Sequence, residues 1–108
     1  MVNTYGWNAS GSYWGQITSA YTGADGNYDL GGLPSGTYRL EFNDYSGSYL
    51  SEYYNNQSSL DLADDIAVAA PETVAGINAS LALAGHITGK VTGPDGTTPL
   101  QDINFYAY

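Results

Sequence analysis

The sequence predicts an all-β protein, an antiparallel sandwich of short strands, and three observations carry that expectation. Apolar and polar residues alternate with a period of two through many short segments, as in Tyr38, Leu40 and Phe42 set against Thr37, Arg39 and Glu41. Clusters of Gly, Pro, Asn, Asp and Ser punctuate those segments. No stretch sustains a long helical period, so many short strands and their turns must supply the layers of the fold.

Taken in order, Val2–Trp7 alternates and reads as a strand, with Val2, Thr4 and Gly6 on one face and Asn3, Tyr5 and Trp7 on the other. Asn8 to Ser12 is a polar loop, and Tyr13 to Thr22 is a strand rich in Tyr, Trp, Ile and Thr. Asp25-Gly26 supplies the positive φ of a tight turn. Tyr28 and Leu30 then alternate with Asn27 and Asp29 as a further strand, which Leu33-Pro34 ends. Gly36 turns the chain into the strand that ends at Phe42. Asn43 to Ser48 is a turn cluster, Tyr49–Tyr54 a short strand and Asn55 to Ser59 a loop. Leu60 to Asp65 fits either one helical turn or an extended loop, and Ile66–Ala69 is a strand stopped by Pro71. Ile77, Ala79, Leu81 and Leu83 share one face of the next strand. Ala84-Gly85-His86 then leads into Ile87, Gly89 and Val91, which alternate with Thr88 and Lys90. A turn-rich loop, Thr92 to Pro99, precedes a last strand, Ile103–Tyr108.

The run from Thr22 to Phe42, TGADGNYDLGGLPSGTYRLEF, resembles the hallmark of carboxypeptidase-regulatory-like domains. That resemblance implies a seven-stranded antiparallel β-sandwich of prealbumin or Ig-like type, recurring in tandem on secreted and cell-surface proteins. It implies nothing about activity. In such domains a first strand spelled like Ile87–Val91 (ITGKV) precedes a PDG loop and a strand spelled like Ile103–Tyr108 (INFYAY). Here that opening pair stands at the C-terminal side, and VNTYGW at 2–7 repeats the pattern of INFYAY at 103–108, about one domain away.

The chain therefore reads as a permuted repeat frame. Residues 2–83 are the body of one sandwich repeat, and residues 87–108 are the opening strands of the next. A body without its first strand presents an unpaired edge. Ile87, Gly89, Val91, Ile103 and Phe105 are the candidate donated residues, completing either their own sandwich or a neighbouring one. Burial of Ile87, Val91, Ile103 and Phe105 is worth roughly 6–10 kcal/mol before ordering costs. The three-residue connection spans only about 10 Å, which favours exchange between molecules. Head-to-tail exchange that does not close a ring yields a filament.

Composition narrows the remaining functions. Eleven acidic residues against Arg39 and Lys90 give a net charge of −9, which argues against nucleic acid and anionic membrane surfaces. No apolar run approaches the roughly 18 residues of a spanning helix, so membrane insertion is not expected. The chain has no cysteine, hence no disulfide and no thiolate metal site. An extracellular or cell-surface location follows from the resemblance, since no secretion signal is read at Met1.

Catalysis is not expected. His86 is the single histidine and stands in a linker, leaving the serines without an activating base. No cofactor is implied. Asp25, Asp29, Asp44, Asp61, Asp64, Asp65 and Asp95 offer hard oxygen ligands, but none has the spacing of a calcium loop. Collagen-adhesin B-type repeats are distantly similar, and they join a first-strand lysine to a last-strand Asn or Asp with help from a buried Glu. Lys90 and Asn78 lie on such strands, but Phe42 occupies the position of the Glu and Lys90 falls on the outward face. Trp7, Trp14, Tyr53 and Tyr54, with Tyr5 and Tyr13, offer an alternative role as a glycan-binding or adhesive surface of a monomer. Three Asn-X-Ser triplets, at Asn8, Asn56 and Asn78, permit glycosylation in a host that performs it.

Overall fold

Five strands build one antiparallel sheet: β1 (Val2–Asn8), β2 (Tyr13–Ala20), β3 (Gly36–Phe42), β4 (Glu52–Tyr53) and β5 (Ile66–Val68). The structure is a computed structural model that describes all 108 residues, and it contains no helix. β1 lies between β2 and β3, while β4 and β5 share the far edge of β3. Val2 faces Ala20 on one side and Phe42 on the other, so β1 is the central strand. The register of β1 and β2 shifts between Thr4 and Tyr5, where Ile17 is the extra residue of a β-bulge.

Alternation decides which face is covered. Val2, Leu40, Phe42 and Ile66 form the buried cluster, with Tyr38, Ala63 and Thr4 also enclosed. Tyr28, Leu30, Tyr54, Val68, Ile77 and Leu81 pack against that cluster from outside and stay half-exposed. Only nine residues of 108 are buried, because a single sheet layer has nothing but these partial covers over its apolar face.

The second layer is where expectation and structure part. Tyr28 and Leu30 of Asn27–Leu30 and Ile77 and Leu81 of Ile77–Leu83 lie on the core as expected, whereas Leu83 is exposed, and neither segment belongs to the sheet. Residues 28–34 and 73–81 make no backbone–backbone hydrogen bond at all. Their only strand-like link is the Tyr49–Leu83 bridge at the end of the second segment. A seven-stranded sandwich is therefore not what is observed: five of the nine segments read as strands lie in the sheet, Asn27–Leu30 and Ile77–Leu83 are rails flanking an open space, and Ile87–Val91 and Ile103–Tyr108 form no strand. Tyr49–Tyr54 shrinks to Glu52–Tyr53, and Leu60 to Asp65 resolves into turns, with Leu62 and Ala63 amides donating to the Ser59 carbonyl.

The C-terminal arm leaves the body. Ala84 donates its amide to the Ser48 carbonyl, and beyond it no hydrogen bond joins the arm to residues 1–83. Ile87–Lys90 joins no strand, Ile87 being 96% exposed, and Phe105 in the last segment is 85% exposed. Closure of the arm onto its own sandwich, one of the two completions open from the sequence, is not the arrangement observed. The arm's one local structure is a hairpin in which Leu100 donates to Val91 and Gly93 to Thr98. The molecule accordingly measures 65 × 36 × 22 Å with a radius of gyration of 19.2 Å, against about 13 Å for a compact domain of this length.

Candidate functional site

The open space between the rails is a concavity of the inner sheet face. Its floor is the inner face of the sheet, formed by Thr4, Tyr38, Leu40, Ile66 and Val68. One wall is Gly26–Leu33 and the other Ala70–Asn78, enclosing a groove of about 620 Å³. A second groove of about 470 Å³ continues it past Val2 and Phe42 toward Leu81. Gly26, Tyr28 and Asn78 line both grooves, so they are two reaches of one trench. Between them the Tyr28 hydroxyl donates to the Ile77 carbonyl at 2.6 Å and clasps one rail to the other. Burial, and to a lesser degree Tyr54, pushes the Tyr28 phenol above its ordinary pKa, so it remains a donor at neutral pH.

Local chemistry holds the first rail open. Gly26 sits at φ 82°, its amide donating to the Gly23 carbonyl while the Asp25 carboxylate accepts the Asn27 amide. This is the tight turn expected at Asp25-Gly26, and it sends Tyr28 and Leu30 inward with Asp29 outward. The arm repeats the device. Gly96 has φ 75°, its amide bonds the Gly93 carbonyl, and Asp95 accepts from the Thr97 and Thr98 amides and the Thr98 hydroxyl. Those bonds, the Thr98 hydroxyl foremost, hold the Asp95 carboxyl down at about 2. Asp44 likewise accepts from Ser46, Ser48 and Tyr49, with the Ser46 hydroxyl the main cause of its lowered pKa. The acidic side chains thus serve turns, and no three of them converge as a metal site would require.

Inside the trench lies a polar misfit. Thr4 is fully buried, and its Oγ1 has no hydrogen-bond partner. Nothing in the sequence pattern signals this, because Thr fits a strand interior by shape.

The opposite face of the sheet carries the aromatic candidates. Trp7 and Trp14 pair across β1 and β2 with ring centres 5.4 Å apart and planes at 61°. The Arg39 guanidinium covers Trp14 at 4.3 Å, donates to Asp65 at 2.7 Å and reaches the Leu60 and Asp61 carbonyls. Beside them a polar row crosses four strands: Gln16 donates to Asn3, Asn3 to Glu41 and Tyr53 to Glu41. Burial first, and then the Glu41 carboxylate, pushes the Tyr53 hydroxyl up to about 12. Trp7 and Tyr13 are the exposed candidates, about half of each being open to solvent. Tyr54, expected among the surface aromatics, instead turns inward against the core, because strand alternation sends it to the face opposite Tyr53.

Of the candidate donor residues, Ile87, Gly89, Val91, Ile103 and Phe105 all stand on the projecting arm, and Lys90 among them has no ion-pair partner. Comparison with known protein families, with curated proteins and with solved structures finds no match to this chain. Its class rests on the architecture alone: an all-β protein with one antiparallel sheet, an open apolar trench and an unpaired extended arm.

Proposed function

We propose that the chain is a structural module that assembles head to tail, the Ile87–Val91 segment of one molecule lying in the trench of the next. The observation that carries this reading is the coexistence, in one chain, of two rails, residues 28–34 and 73–81, that make no backbone–backbone hydrogen bond, and an exposed C-terminal segment that joins no sheet. A strand laid between the rails pairs with the amides and carbonyls that residues 28–34 and 73–81 leave without backbone partners, the Tyr28–Ile77 clasp opening to admit it, and its inward side chains face the trench floor. Asn27–Leu30, the donated strand and Ile77–Leu83 then form a second layer over the sheet of β1 to β5, closing a sandwich with the short β4 at its edge. The family resemblance of residues 22–42 supports that architecture and, with it, a place in an extracellular or cell-surface repeat array.

Burial of Ile87 and Val91 contributes about 3–6 kcal/mol per junction before ordering costs. The glycan reading has weaker support, since Arg39 occupies a face of Trp14 and the two indoles do not share a plane. No helix of the chain is long and apolar enough to cross a membrane.

Light scattering across a dilution series tests the proposal on the full chain and on Ile87→Asp. The expected result is a concentration-dependent ladder of multimers for the first and a monomer for the second, with equal thermal stability of the isolated molecules. A full chain that remains monomeric at about 1 mM, where even a 4 kcal/mol contact would show, overturns it.

A further inference from the structure

We propose that Lys90 of the donated strand pairs with Asp29 on the rim of the accepting trench and so sets the register of the junction. The inference rests on the strand-donation reading above. Apolar alternation already excludes a slip by one residue, which would turn Ile87 and Val91 outward. It does not exclude a slip by two, since Ile87, Gly89 and Val91 all face one way. A further determinant must act on the outward face.

Charge supplies it. Arg39 and Lys90 are the only Lys or Arg side chains of a chain with net charge −9. Arg39 is spent on Asp65 and Trp14, whereas Lys90 is exposed and unpaired. With Ile87 and Val91 facing the trench floor, Lys90 must point outward, as Asp29 does on the first rail between the inward Tyr28 and Leu30. Outward residues on paired strands stand beside one another. Asn27 and Gly31, the outward positions two residues either side of Asp29, carry no charge. Sliding the strand by two in either direction therefore moves Lys90 off its only anionic neighbour on that rail. Glu72 lies on the opposite wall of the groove and adds to the negative rim that Lys90 meets.

A charge swap between whole chains tests this by light scattering at low ionic strength. Lys90→Asp and Asp29→Lys, each alone, place like charges at every junction. Each is expected to weaken self-assembly between about 2- and 30-fold, the pair being lost and a repulsion gained. Mixed in equal amounts they regain wild-type assembly as an alternating copolymer, since both hetero-junctions join Lys to Asp. The double variant on one chain regains it alone, and the single-variant defects shrink in about 1 M salt, where screening acts within about 3 Å. Circular dichroism confirms that both exposed substitutions leave the fold intact. Single variants that assemble like the wild type, or a mixture that is not restored, overturn the register pair while leaving strand donation standing. A wild-type chain that does not assemble overturns strand donation itself.

Discussion

Thr4 offers a sharp test of the core, because its side chain is enclosed while its hydroxyl bonds to nothing. Thr4→Val replaces that hydroxyl by a methyl group at the same place on the central strand, opposite Leu40 and Thr18. Backbone pairing is untouched and Val suits a strand at least as well. An orphaned buried polar group costs about 1–3 kcal/mol, so its removal is expected to stabilise the isolated molecule by that amount. For a domain near 100 residues each kcal/mol raises Tm by about 4–8 °C. Urea titration followed by tyrosine and tryptophan fluorescence should show a higher midpoint with an unchanged slope, the sign of altered stability rather than altered exposure. Thr4→Ser is the companion variant: it keeps the orphan and deletes a buried methyl, at a cost of about 0.8 kcal/mol. A midpoint lowered by Thr4→Val would refute the reasoning, since it would mean that the hydroxyl has a partner.

Two further outcomes are expected. Arg39→Ala removes the ion pair with Asp65, both carbonyl contacts to the Leu60–Asp61 turn and the cover over Trp14. It should destabilise the body by about 1–3 kcal/mol in chemical denaturation, and Arg39→Lys should recover little, since an ammonium cannot replace the fork and the stacking together. In alkaline titration followed by tyrosinate absorbance, Tyr53 should ionise last, near its folded value of about 12. Its folded pKa lies above the unfolded value of about 10, so the stability it contributes is complete below pH 10 and is lost as pH rises toward 12. Tyr5 and Tyr28 are raised in the same direction, and Tyr53→Phe should remove the latest-ionising component. A Tyr53 that ionises with the exposed tyrosines would mean that its bond to Glu41 is not made.

The legible part of this fold is the part that alternation encodes. Tyr38, Leu40 and Phe42 announce an inward face, and they are buried as read. The Asp25-Gly26 turn was readable from a local rule, since only a positive φ closes it. Tyr28 with Leu30 and Ile77 with Leu81 show where such reading stops. Their spacing correctly states that one face is covered, but a strand also needs a neighbour in the plane of the sheet, and periodicity carries no information about that neighbour. The candidate site was legible in the same uneven way. The sequence set residues 87–108 apart from the 2–83 body, and beyond Ala84 no hydrogen bond joins the two. The Tyr28–Ile77 clasp, the Thr4 orphan and the reach of Arg39 across Trp14 depend on contacts between distant segments, which no local pattern expresses.

The projecting arm has a consequence for how such particles would grow. In the head-to-tail assembly proposed above, each molecule would contribute one socket and one plug at different places on its surface, so a linear stack of any length would retain one of each and have inequivalent ends. Growth is then directional, and blocking a single kind of terminus halts extension there while leaving the other free. Only a ring, in which the last plug meets the first socket, satisfies every member.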